Sequence, residues 1–450
     1  MTKTITLTTI IALFLLINVN AQDTTKYKLR LVAPLLDAPE NFNIPHKYPS
    51  MDQALEFSSD FYELGFWGID EVGNKLFKDP YGDKFYNNAF KYLLGLAFSK
   101  YGSELPIPLG VWAHEEYHRA VLGKADIASE NGNWLFTRWD GTVFGVSDTT
   151  LSILKRRDPG QLLYAYTSGV QYEANLSQQI SIRDFYNQRS HYKNALLLYN
   201  AYYIYDYFNF SASEKSDSVK VLAPPDESKN PMERDFAGAD LTAWVYDMFN
   251  PDMPFNNRDD FPGGEGVNRR IGFSDLSAEA RDYLEKQRSL SLLNFVNPAI
   301  FFINRIKVTD DFSFNFFTQY VPTHFGNDIA LYIPFTYRNS NLLVNFHKYS
   351  NKDDSGLGLG LGIYNFKVTD RFESDLAINY WDQPKSFYSD DKISGGFVNF
   401  ESRYSISQKF SAFLAFDVKT KGWMIGEPDL YEDYSIQAGI NFNYSRKQKK

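Results

Sequence analysis

The sequence predicts an α+β chain. A mainly helical domain over residues 22–297 is followed by an antiparallel β-barrel of about eight to ten strands over 298–450. Three observations lead there. Apolar residues recur at three- and four-residue spacing through most of the 450-residue chain, then alternate strictly from Ala299 onward. Connections in the last third alternate between short and long. Aromatic residues make up 17% of the chain, and they crowd the ends of the alternating segments as an interfacial girdle does.

The first 21 residues read as an export signal. Lys3 supplies the positive charge, Ile5 to Ile17 the apolar run, and Val19-Asn20-Ala21 the cleavage site before Gln22. The run is too short to favour a membrane span. With no cysteine in the chain, disulfides and thiolate metal ligands are excluded. The net charge is −9, and the one basic block is Arg446-Lys447-Gln448-Lys449-Lys450. That balance offers no footprint for nucleic acid.

Within residues 52–122, Phe57, Phe61, Leu64 and Gly65 predict one helix, and Phe85, Ala89, Tyr92, Leu93 and Leu96 another. Pro106 and Pro108 then reset the chain before a third. Residues 131–147, with Asp140-Gly141 at the turn, read as a short hairpin. Helices are expected over 160–182 and 191–210. A polar loop follows over 211–232, marked by Ala223-Pro224-Pro225-Asp226. Residues 235–249 read as helix, 250–272 as irregular, and an amphipathic helix runs from Ser277 to about Leu293.

After Ala299, Phe312, Phe314 and Phe316 alternate with Ser313 and Asn315. Leu376, Ile378 and Tyr380 alternate with Asp375, Ala377 and Asn379. The same holds for Val398 to Ile406 and for Tyr434 to Tyr444. Segments of roughly ten residues with one apolar and one polar face suit a transmembrane strand. Short turns recur at 309–311, 338–341, 369–371 and 407–409. Longer loops are expected near 321–328, 350–356, 382–394 and 420–433. The competing reading of this pattern is a soluble β-sandwich packed on the helices.

The motif that carries chemistry is His114-Glu115-Glu116-Tyr117-His118, one H-E-x-x-H in a chain of only six histidines. On a helix, residues four apart share a face, so both imidazoles can meet one metal ion with Glu115 beside them. The flanking Val111, Trp112, Val121 and Leu122 predict burial, and buried histidines and glutamates need partners. A catalytic zinc takes three protein ligands and a water. Candidates for the third ligand are Glu173, Asp240, His191 and Glu130. Glu173 is preferred because Gly169, one turn earlier, would let two helices approach closely.

These residues resemble the zincin metallopeptidases, and the branch with a glutamate third ligand in particular. Gln171-Tyr172-Glu173-Ala174-Asn175 is also similar to the E-Y-E-A-D segment of membrane-associated prenyl-protein and stress peptidases. It departs from that segment at Gln171 and Asn175, and the family's ligand is the first Glu. The resemblance implies Zn²⁺ on His114, His118 and Glu173, with Glu115 as the catalytic base for hydrolysis of a protein or peptide substrate. Tyr172, His191 and Tyr117 are candidates to stabilise the oxyanion. The expected protein is an exported metallopeptidase anchored at the outer membrane, with its helical domain facing the periplasm and with membrane lipid and other envelope proteins as partners. The alternative is a non-catalytic outer-membrane or envelope-assembly component with a structural metal site.

Overall fold

The computed structural model describes residues 29–40, 47–79, 84–132, 141–187, 191–220, 229–262 and 264–444. The expected export signal, the tip of the 131–147 hairpin, the Pro-rich centre of 211–232 and the terminal basic block lie outside them. Among the described residues there are eight α-helices: α1 (Met51–Leu76), α2 (Phe85–Ala97), α3 (Gly110–Lys124), α4 (Asp148–Arg157), α5 (Pro159–Asn187), α6 (Ala195–Ser211), α7 (Asp240–Phe249) and α8 (Ala278–Ser291). Serine side chains start three of them. Ser50 forms a capping box with Gln53 on α1, Ser147 caps α4 and Ser277 caps α8. Helices α3 and α5 are the centre of the helical domain, since α3 and the first two thirds of α5 are buried nearly all round.

The strands are β1 (Leu29–Ala38), β2 (Glu130–Asn131), β3 (Val143–Phe144), β4 (Ile306–Lys307), β5 (Phe312–Phe314), β6 (Phe317–Thr323), β7 (Gly326–Tyr337), β8 (Ser340–Ser350), β9 (Ser355–Lys367), β10 (Phe372–Pro384), β11 (Lys392–Ser405), β12 (Phe410–Lys419) and β13 (Asp433–Tyr444). β2 and β3 pair as the base of the expected hairpin. The other eleven form one antiparallel sheet in the order β1-β13-β12-β11-β10-β9-β8-β7-β5-β4, with β6 also on β7. The α+β class holds, but the sheet is not closed into a barrel. β1 was not expected: it lacks alternation, and Pro34 argues against a central strand. It lies at the edge of the sheet, where a proline is tolerated. Two of the expected long loops are tight instead, joining Thr323 to Gly326 and Ser350 to Ser355. Those at 385–391 and 420–432 are long.

The sheet is patterned opposite to a soluble one. Its convex face exposes Val398, Phe400, Leu414, Phe416, Val418 and Ile436, and Phe400 faces Phe416 across one strand pair. Its concave face buries polar and charged side chains among apolar ones such as Phe397, Phe413 and Leu343. Arg403 is buried there and donates to Asp375 at 2.6–2.7 Å and to Asn365 at 2.9 Å. Asp417 accepts from Ser435 at 3.1 Å and Gln437 at 3.2 Å, and Gln437 also donates to Asp52 on α1. Helices α1 and α5 fill this concavity and leave a polar cavity of about 300 Å³.

Helix α5 runs along the concave face. Its Tyr186 stacks on Tyr364 and donates to the Leu342 carbonyl. At the other end of the sheet, Phe325, Tyr349, Phe387, Trp423 and Leu430 share one core with α3, α5 and α7. The helical domain thus packs on the end that carries the long connections. Leu29 and Tyr444 pair at the opposite end, with the short turns.

Helix α7 is held by a buried charge network. Asp247 accepts from Lys155 of α4 at 3.0 Å, Tyr166 of α5 at 3.1 Å and Arg258 at 2.9 Å. Replacing Asp247 with Ala strands two buried cations and should destabilise the protein by about 3–5 kcal/mol. A thermal unfolding midpoint unchanged from wild type would show that the network does not hold α7.

Candidate metal centre

Four helices converge on one buried group. α3 carries His114 and His118 one turn apart, with their rings 5.0 Å apart. α5 crosses α3 at Gly169. A Cβ at that position would lie 2.3 Å from Nε2 of both histidines. No other residue leaves room there for the imidazoles and for an ion between them. α7 begins with Asp240, after a turn in which Gly238 has a φ of +77°. The Gly238 carbonyl accepts from Arg270 at 3.2 Å. A carboxylate in the first turn of a helix is favoured by the unpaired N–H groups there.

Asp240 Oδ2 lies 3.3 Å from His114 Nε2 and 3.4 Å from His118 Nε2. A tetrahedral zinc with bonds of about 2.0–2.1 Å sets neighbouring ligand atoms about 3.3 Å apart. One nitrogen or oxygen from each of His114, His118 and Asp240 lies within 4.8 Å of the others, and all three residues are buried. This group could hold a metal ion.

The surroundings set the tautomers. His118 Nδ1–H donates to the Ala165 carbonyl at 2.5 Å, which leaves Nε2 to face Asp240. Glu173, the preferred third ligand, does not join the group. It meets the other ring nitrogen of His114, with Nδ1–H donating to Oε1 at 3.3 Å. Its Oε2 is buried with no hydrogen-bond partner. Tyr207 donates to Asp240 Oδ2 at 2.8 Å and accepts from the Asp240 N–H at 3.2 Å. Tyr203 and Tyr207 of α6 pack beside the His114 ring, and Phe236 beside His118.

The electrostatics are those of a cation site. Burial alone would push the His114 imidazole down, but Glu173 and Asp240 raise it well above its ordinary value. Burial likewise opposes ionisation of Asp240, yet the two imidazoles hold its carboxyl below the usual carboxylate range. Glu173 is raised by burial, in part offset by His114. The notch at Gly169 and a two-imidazole, one-carboxylate donor set both suit a bound metal.

The remaining candidates lie elsewhere. Glu115 is buried beside His114 on α3. Glu116 is bonded to Arg119 and Asn131. Tyr117 accepts from Asn175 and Tyr172 bonds Ser58, so both face α1 or the sheet side of α5. Glu130 is exposed in β2, and the side chain of His191 falls outside the described residues. The residue that sequence reasoning missed is Tyr207. Its spacing in a tyrosine-rich helix carried no signal pointing to Asp240.

No family model matches this chain, and no curated protein matches it. Among solved structures, "NanC porin structure in rhombohedral crystal form" is similar over 31% of this chain and 74% of its own, at 10% identity and a TM-score of 0.24.

If the group holds zinc, replacing Asp240 with Ala removes a donor and should lower zinc affinity at least tenfold. Replacing Glu173 with Ala removes only the partner of Nδ1 and should cost less than the Asp240 change. Competition titration with a chromophoric chelator measures both. The reverse order would make Glu173 the ligand.

Proposed function

We propose that this chain is a cell-envelope protein whose antiparallel sheet faces lipid and whose helical domain is fastened by a zinc ion on His114, His118 and Asp240. The observation that carries the reading is the inverted sheet. Large apolar side chains such as Leu414 and Val418 are 43% and 57% exposed, while Arg403 and Asp417 opposite them are buried. In water that arrangement exposes apolar area and buries charge. In a bilayer both preferences reverse. No helix among the described residues is long and apolar enough to cross a membrane, so the sheet would be the membrane element.

Outer-membrane strands are joined by short turns on the periplasmic side and long loops outside. Applied to this sheet, that rule turns the helical domain outward, the reverse of the orientation expected from sequence. Fractionation of the expressed protein tests the lipid-facing reading. Release from outer membranes should require detergent, and recovery in the soluble fraction without it would sink the reading.

The metal would join α3 to α7, with α5 supplying the orienting Glu173. Chelation should therefore lower the unfolding midpoint by several degrees, and an unchanged midpoint would remove the fastening role.

A second reading, hydrolysis of peptide bonds, is favoured by one observation. Glu115 sits beside His114, and a purely structural site needs no base. When bound, zinc supplies a Lewis acid for the scissile carbonyl and its water. Glu115 would take the proton of that water on a carboxylate oxygen and return it to the leaving amine. Tyr207 and Glu173 would orient Asp240 and His114. On this reading, Glu115→Gln keeps zinc and loses cleavage of a quenched peptide library by at least a hundredfold. Equal cleavage by the variant would take Glu115 out of the chemistry.

A further inference from the structure

The open seam of the sheet, between β1 and the β4–β6 edge, is covered by protein of an unusual kind. Resting on the lipid-facing reading of the sheet, we propose that the α1–α2 hairpin and the segment 292–308 close this seam. They would form a second lipid-facing wall against the acyl chains of an anionic bilayer.

Helix α2 is inside out. Its buried residues are Asn87, Lys91 and Gly95, one per turn. Lys91 donates to Asp70 and Asn74 at 2.7 Å each. Asn87 donates to Asn74 and Asp79 at 3.0 Å each. The opposite face carries no charge and exposes Phe85 (87%), Tyr86, Leu93 (66%) and Leu94. An amphipathic helix in water does the reverse. The apolar residues whose spacing predicted α2 are thus largely its outer face, as on the sheet. On the other half of the seam, Phe301, Phe302 and Ile303 are exposed. Tyr92 meets Phe302 edge-on at 5.0 Å and joins the two halves.

The strand edges at the seam are also sealed. The Val32 N–H donates to Asp60 of α1 at 2.8 Å. Across the gap, Asn294 pairs with both backbone groups of Tyr320, at 3.0 and 3.2 Å. The Thr318 N–H donates to the Val296 carbonyl at 2.9 Å. An unpaired edge group in hydrocarbon costs several kcal/mol, so side chains that meet the edge groups here are what a lipid-exposed seam requires.

The hairpin tip matches a headgroup layer. Gln53 meets Pro34 and Asp60 meets Val32, so α1 runs down β1 toward Leu29 and the short-turn end. Among the described residues near the tip, Lys75, Lys78 and Lys84 are exposed beside exposed Leu76 and Phe85, with exposed Glu71 one turn before Lys75. Cations and apolar residues side by side at one level suit anionic headgroups above acyl chains. Continuity with the convex face of the sheet, together with this charge, selects lipid over a second copy of the chain as the occupant.

The absence of cysteine makes single-site labelling direct. Leu93→Cys and Phe301→Cys report the seam, Leu414→Cys the sheet, and Lys215→Cys an exposed polar site of the helical domain. Each full-length variant is labelled with an environment-sensitive fluorophore. It is then reconstituted in phosphatidylcholine–phosphatidylglycerol vesicles containing lipids with acyl-chain nitroxides. The seam sites should be quenched as strongly as Leu414→Cys, at least threefold more than Lys215→Cys. Quenching of Leu414→Cys alone would overturn the seam proposal and leave the sheet reading intact, including the case in which a second copy covers the hairpin. Quenching of none of the three would overturn both.

Discussion

The polar groups buried on the concave face of the sheet are the constraint on which the rest of the structure depends. Arg403, Asp375, Asp417 and Gln437 cannot be left dry and unpaired. They are met partly by one another and partly by α1 and α5. Those helices therefore run against the sheet rather than standing apart from it, and α5 reaches nearly the full strand length, to Leu342 and Tyr364. A helical domain tethered only by its chain connection would leave the concavity to water.

Fixing α5 also fixes the candidate metal centre. The half of α5 above the sheet bears Gly169, Glu173 and Ala165, and each acts on α3 in a different way. Gly169 leaves the space between the two imidazoles, Ala165 sets the His118 tautomer, and Glu173 turns the His114 ring. Asp240 arrives from a third direction. Its helix is anchored at the far end by Asp247, and the Tyr207 hydroxyl holds its carboxylate. A buried carboxylate facing two imidazoles makes a field that a cation, proton or metal, neutralises.

The same inversion recurs at two levels. On the strands the apolar residues point out and the charged ones in, and on α2 Lys91 is buried while Leu93 is exposed. Independent elements with opposite backbone periods would not share this fault in water. They share it readily if the surrounding medium is apolar and every polar group has an internal partner.

The sequence by itself determined what depends on local period and spacing. The H-E-x-x-H pair shares a helix face because residues four apart must, and β5, β10, β11 and β13 announce themselves by alternation. The α+β order and the close approach at Gly169 follow from the same local information. Only the tertiary structure decided the rest. β1 joins the sheet across more than 400 residues of sequence to pair with β13, and its Pro34 disguises it. Whether the sheet closes depends on strand partners and helices at the seam, not on any single strand. The carboxylate that faces both imidazoles is Asp240, and the one behind His114 is Glu173, because helix crossing angles fix which side of a ring a side chain reaches. Spacing along the chain holds no record of that.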